Sequence, residues 1–171
     1  MRIRAVALLT ALVTVGTFVI GVSGAEAKSA PKAAACAGST KSQAVKQIKS
    51  AYDYFLNGTT KPPRTIDQRE AYIAGMSDPA LAALFNKGFG ANAAAAATTN
   101  IKISAVTCTS KTAATVKADL VISGKVTPGI FPNPGGAVIE NGVWKATKQT
   151  FCDLESLSDS TISQSGPCSV K

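Results

Sequence analysis

Four cysteines and the absence of histidine decide most of the chemistry open to this chain. Ser–His and Cys–His nucleophile pairs need an imidazole to take up a proton, so both are excluded. Cys36, Cys108, Cys152 and Cys168 stand far apart, and no two form the closely spaced pair that metal sites use. In an exported chain an even cysteine count argues instead for disulfides. Cys152 and Cys168 are nearest in sequence, which favours joining them and leaves Cys36 with Cys108. Acid–base chemistry would fall to carboxylates: Asp53, Asp67, Glu70, Asp78, Asp119, Glu140, Asp153, Glu155 and Asp159. A carboxylate general base needs burial to raise its pKa. Nearly all of these residues fall on expected polar faces, caps or turns, and none has a flanking sequence that implies an apolar setting. The expectation is a protein that is not an enzyme and carries no metal and no cofactor, with a buried-carboxylate enzyme as the remote alternative.

Three aromatic residues are candidates for lining an apolar ligand site. Trp144 is the only tryptophan. Tyr52 belongs to an apolar helical stripe. Phe131 sits in a Pro-rich loop with no strand neighbours. Each has a plainer role as a core anchor, since such rings are mostly buried. Tyr54, two positions from Tyr52, cannot share its helix face and is expected at an edge.

The compartment follows from the first 27 residues. Met1-Arg2-Ile3-Arg4 is a short basic head, Ala5 to Val22 is an uncharged and mostly apolar run, and Ala25-Glu26-Ala27 ends it with small residues. That is the pattern of a secretory signal, with cleavage expected between Ala27 and Lys28. Loss of Arg2, Arg4 and Glu26 would lower the net charge from +8 to +7. The cations that remain are lysines apart from Arg64 and Arg69, and they are scattered. Phosphate and base readers favour clustered arginine forks, so nucleic acid is not an expected partner. A dispersed basic surface suits an anionic cell-wall component, or solvent alone. Cys36 follows Ala33-Ala34-Ala35, a faint lipidation pattern, but Glu26, Lys28 and Lys32 separate it from the apolar run. Free secretion and retention through a lipidated Cys36 both stay open at this point.

The elements that position these residues can be read in order. Residues 28–38 are Ala-, Lys- and Pro-rich and expected to be flexible. Residues 39–171 are expected to form one domain. Ser39 or Thr40 is expected to cap a helix through about Leu56, with Val45, Ile48, Tyr52, Phe55 and Leu56 on one face. Lys49 and Asp53 on the other face are spaced for a weak pair. Thr65-Ile66-Asp67-Gln68 reads as a capping box for a helix through about Ala74. Ser77 or Asp78 with Pro79 starts a third, with Leu81, Leu84 and Phe85 inward and Gly88 and Gly90 interrupting it. Ala93 to Ala97 is expected to be helical. From Asn100 the period changes to two, with a bulge near Ser104–Ala105 and a clear strand carrying Ala114, Val116, Ala118, Leu120 and Ile122 on one face. A loop from Gly124 to Gly136 precedes a strand over Ala137 to Glu140. Asn141-Gly142 turns it into a strand from Val143 to Phe151, and a short helical turn near Asp153–Ser156 opens the tail. Helices followed by an antiparallel meander predict an α+β fold with helices on one face of a four-stranded sheet.

The runs Asn141-Gly142-Val143-Trp144-Lys145 and Thr150-Phe151-Cys152, with Ala51 through Thr59 and the strand at Ala114-Thr115-Val116, carry a family resemblance. Over residues 40 to 168 the chain resembles the low-molecular-weight secreted antigens of actinobacteria. The resemblance implies a cone similar to nuclear transport factor 2, in which a curved sheet wraps a helix and often leaves a pocket. It brings no catalytic residue with it. The sequence thus favours a secreted binding protein, taking an apolar small molecule in the cone or an anionic cell-envelope component on its surface. The alternative is an interaction protein without a pocket, monomeric or a homodimer formed through its sheet. A ligand within the cone requires that Val45, Ile48, Tyr52, Val116, Leu120 and Trp144 do not close into a filled core.

Overall fold

The structure, a computed structural model, describes residues 32–129, 134–157, 159, 160, 162 and 166–169. The expected signal, its cleavage point at Ala27 and Lys28, and Phe131 lie outside the described residues. Helices precede a curved antiparallel half-barrel sheet, and two disulfides tie the chain. The helices are α1 (Lys41–Leu56), α2 (Ile66–Glu70), α3 (Pro79–Ala91), α4 (Ala93–Thr98) and α5 (Lys148–Glu155). The strands are β1 (Thr99–Cys108), β2 (Ala113–Ile122), β3 (Lys125–Thr127), β4 (Gly135–Glu140) and β5 (Val143–Ala146), ordered β1-β2-β4-β5 with β3 also on β2.

The curvature follows from what α1 touches. It packs against both β1 and β5, which lie at opposite ends of that order. On a flat sheet they would be three strand spacings, about 14 Å, apart. A helix about 10–12 Å across meets both only if the sheet bends around it. Ala44, Ile48, Ala51, Tyr52, Phe55 and Leu56 form the buried face of α1, recurring at three- and four-residue steps. Val116, Leu120, Ala137, Trp144 and Ala146 meet them from the sheet. The bulge falls at Ser104, where the register slips between Ile103 and Ala105. Asn141 and Gly142 take positive φ angles, 52° and 74°, as a two-residue hairpin turn demands.

Several expected elements change. The sheet has five strands rather than four, because part of the Gly124–Gly136 loop turns back as β3 and pairs with Leu120–Ile122. The strand expected to run to Phe151 stops at Ala146. There the Thr147 side chain accepts a hydrogen bond from the Thr150 amide and starts α5. α3 continues through Gly88 and Gly90 to Ala91, since packing outweighs their low helix propensity. α2 ends at Glu70, and Ile73 bridges to Ala146 instead of extending the helix. Thr40 precedes α1 without capping it; its hydroxyl donates to the carbonyls of Ala35 and Ala37. Asp53 is engaged by Arg64 at 2.6 Å and by Asn57 at 2.8 Å, and no Lys49–Asp53 pair is formed among the described residues.

The lead-in is also tied down where it is described. Ala33 donates its amide to Gly142, Cys36 donates to Lys111, and the Gln47 amide side chain bonds both Ala34 and Lys32. Cys36 is bridged to Cys108 with Cα atoms 5.7 Å apart, and Cys152 to Cys168 at 5.5 Å. This is the pairing favoured by the spacing. A sulfur in a disulfide has no valence left for a thioether, so the Cys36 bridge and a lipidated Cys36 exclude one another. The capping box at Thr65 and Gln68 is formed. Arg69 in the same helix is buried and donates to the carbonyls of Phe55 and Asn57, closing the C-terminal end of α1.

Candidate functional site

Among the described residues, a largely apolar opening lies where α1 ends. Phe55 and Leu56 form its inner wall, with Leu120 and Ile122 from the end of β2 beside them. α3 contributes Gly88 and Phe89, α4 contributes Ala95 and Ala96, and α5 contributes Phe151, Leu154 and Glu155. Asn92, Thr99 and Leu157 complete the lining among the described residues. The cleft holds about 330 Å³ and is open on one side. That is at the small end of the range for ligand sites.

Its walls are fixed by neighbouring structure. Phe85 is fully buried behind the site, edge-on to Phe151 at 5.6 Å and tilted against Phe89 at 4.6 Å. The Arg69 guanidinium lies 5.3 Å from the centre of the Phe89 ring. Its burial, and then Arg64 nearby, hold its pKa below the usual arginine range. The Asn92 and Thr99 side chains donate to the backbone carbonyls of Gly88 and Ala95.

Glu155 is the acidic residue of the lining. Burial pushes its carboxyl above the ordinary carboxylate range. A Cβ placed on Gly88 would overlap that carboxylate, so the acid packs directly against the backbone of α3. Glu155 thus has a partly buried setting that its flanking sequence did not imply. The misplaced strand hid it. Once Thr147 starts a helix, Phe151 and Glu155 are four residues apart and share a face; with Phe151 ending a strand and Glu155 in a separate helical turn, the two positions were not related. The Thr147-x-x-Thr150 spacing before an apolar residue was the available signal.

Tyr52 and Trp144, two of the three residues expected to line a pocket, are placed elsewhere. Trp144 is buried, and its indole N–H donates to Ala34 at 2.9 Å. Tyr52 is buried, with its hydroxyl donating to Gly136 at 2.8 Å and 3.4 Å from the Thr150 hydroxyl. Burial pushes the Tyr52 phenol well above its ordinary pKa. Gly135 is required there, because a Cβ would stand 2.7 Å from the tyrosine oxygen. Neither ring is on the cleft wall. Of the six positions set as the test of a hollow cone, Ile48, Tyr52, Val116, Leu120 and Trp144 are buried and Val45 is half-buried. The space that α1 shares with the sheet is filled, which removes the expected ligand inside the cone; of these six positions only Leu120 reaches the opening at its end. Tyr54 does lie at an edge, stacked on Tyr72 at 4.5 Å with Arg64 over its ring.

The family of the low molecular weight antigen MTB12, C-terminal domain, matches residues 41–162. The chain belongs to this family. Among curated proteins and among solved structures nothing matches. The likeness to nuclear transport factor 2 thus stands as an expectation of the resemblance. The matched MTB12-type domain contains Cys108 and Cys152, while their partners Cys36 and Cys168 lie just outside it at either end. All the described residues that line the cleft fall within it.

Proposed function

We propose that this protein is an exported, non-enzymatic binding protein that holds an apolar small molecule in the cleft at the end of α1. The observation that carries the reading is the cleft itself: about 330 Å³ walled chiefly by Phe55, Phe89, Leu120, Phe151 and Leu154. A solvent-facing apolar hollow of this kind is costly to leave wet, and covering it with a ligand removes that area from water. Export is supported by the basic-apolar-small pattern of residues 1–27 and by two disulfides, which persist in oxidising compartments. Binding is favoured over catalysis because the described lining is chiefly apolar and the chain has no histidine to work with an acid there. Acid–base catalysis needs a positioned partner or nucleophile as well as a perturbed acid.

Titration with the neutral fluorophore N-phenylnaphthylamine tests this. Ala95 and Leu157 are exposed and line the mouth, so Ala95→Phe and Leu157→Asp alter the cleft without touching the core. The wild-type chain should give saturable enhancement, and both variants should weaken it while keeping the wild-type unfolding midpoint. Enhancement that never saturates, or that is identical in both variants, would sink the reading.

A further inference from the structure

The size and closure of the cleft select among apolar ligands. We propose that the cleft gauges length: it takes one alkyl chain of about a dozen carbons, end first, and leaves the polar head of that chain in water. This rests on the binding role proposed for the cleft and narrows it to one class of amphiphile.

Three observations carry it. First, the cleft has a floor. Phe55, Leu56, Leu120 and Phe151 line it and are buried. Phe85 is fully buried behind them, edge-on to Phe151 at 5.6 Å. Further along α1 the space is filled by Tyr52 and Ile48, with Val116 and Trp144 from the sheet. An entering alkyl chain is stopped at that floor and cannot run on into the cone. Second, the cleft opens on one side, where Ala95 and Leu157 are exposed. A polar head pressed against the apolar floor would lose its hydrogen bonds to water and gain none from the side chains there. The alkyl end therefore goes in first, and the head stays at the mouth. Third, the volume sets a limit. At about 330 Å³ the cleft is about twice the size of the apolar cavity, about 150 Å³, that accepts one six-carbon benzene ring. About a dozen carbons fill it, and a second chain has no room. Inside the cleft each methylene leaves water and tightens binding; beyond the mouth a further methylene gains nothing.

Displacement of N-phenylnaphthylamine by the n-alkanols from hexanol to tetradecanol, each kept below its solubility limit, tests the gauge. The head is the same throughout and only the length varies. Each added methylene should lower the displacing concentration about fourfold, until the series breaks near dodecanol and tetradecanol does no better. Leu154 is half-buried on the cleft wall, so Leu154→Ala should move the break to a longer alcohol and Leu154→Phe to a shorter one. Dodecyl maltoside, below its micelle concentration, should displace about as well as dodecanol because its bulky head stays outside. Unbroken tightening through tetradecanol, or a break at octanol or before, overturns the proposal on the wild-type protein alone. So does a break that stays put in both folded Leu154 variants, or a maltoside that fails to displace. Failure of the binding reading looks different: the probe itself would not bind saturably, and no series would exist to compare.

Discussion

The space between α1 and the sheet is finished in two ways. Near the start of α1, Trp144 and the lead-in close it. The indole N–H is fixed on Ala34, and that segment is itself held by Gln47 and the Cys36–Cys108 bridge. At the other end, Phe55, Leu120 and Phe151 carry no polar atom to anchor a covering segment, and a cleft remains. Tyr52 marks the divide, its hydroxyl joining β4 to α5 through Gly136 and Thr150. Buried polar atoms demand fixed partners, and the partners bring chain with them. The closed end is specified by hydrogen bonds; the open end is walled chiefly by apolar side chains.

Removing the anchor of the closed end should have the largest effect. Trp144→Ala takes away a fully buried ring and leaves the Ala34 carbonyl without its donor, a loss of about 3–5 kcal/mol by analogy with other buried aromatic truncations. Urea unfolding monitored by circular dichroism measures it. A loss well under 1 kcal/mol, where the truncation range begins far higher, would mean that the closed end is not closed by Trp144.

The two disulfides sharpen the contrast because each serves one end. In the loop-entropy model the Cys36–Cys108 bridge, spanning 72 residues, contributes about 4 kcal/mol, and the Cys152–Cys168 bridge, spanning 16, about 3 kcal/mol. Cys36→Ser with Cys108→Ser should red-shift Trp144 emission as the lead-in loosens, with little change at the cleft. Cys152→Ser with Cys168→Ser should leave Trp144 emission alone and weaken probe binding, since Cys152 adjoins Phe151 on α5. Identical spectroscopic effects from the two pairs would erase the distinction between the ends.

Tyr52→Phe probes the boundary more gently. It deletes one hydroxyl and keeps the ring, so about 1 kcal/mol should be lost. The pH dependence has a definite sign. The folded phenol titrates above its ordinary 10.0, so its stabilisation is complete below pH 10 and is lost as the pH rises beyond it, when only the unfolded chain ionises readily. The phenylalanine variant should lack that alkaline loss, which urea midpoints on either side of pH 10 would reveal.

The closed end was far more legible in the sequence than the open one. The positions Ile48 and Tyr52 on α1 and the alternation Ala114, Val116 on β2 are local periodicities, and each was buried as its period required. The Asn141-Gly142 turn and the Thr65–Gln68 capping box are likewise local chemistry. The cleft is not local. It draws on the ends of α1, α3 and α5 and on β2, and no periodicity says that those ends converge. Its acid was hidden further because the apolar spacing of Val143 to Phe151 reads as a strand until the Thr147 cap divides it. Tyr52 was singled out for its place in an apolar stripe and Trp144 as the only tryptophan, and the polar atom of each has a backbone partner that ties it into the core.

The smallest effect should come from Glu155→Gln, and its sign bears most directly on the open end. Burial raises the folded carboxyl above its reference of 4.5. Below that pH the acid is neutral in both folded and unfolded chains, and its contribution is fully present. As the pH rises, the unfolded chain ionises first, and stability is lost through the folded pKa. Glutamine has the same shape and never ionises. The variant should therefore match the wild type near pH 4 and gain on it toward pH 7, by an amount solvent screening keeps small because the side chain is only half-buried. Urea midpoints of both proteins at the two pH values measure the difference of differences. If the wild type gains on the variant instead, burial does not dominate the titration of Glu155, and the contrast between a polar-anchored end and an apolar, acid-bearing end fails at that residue.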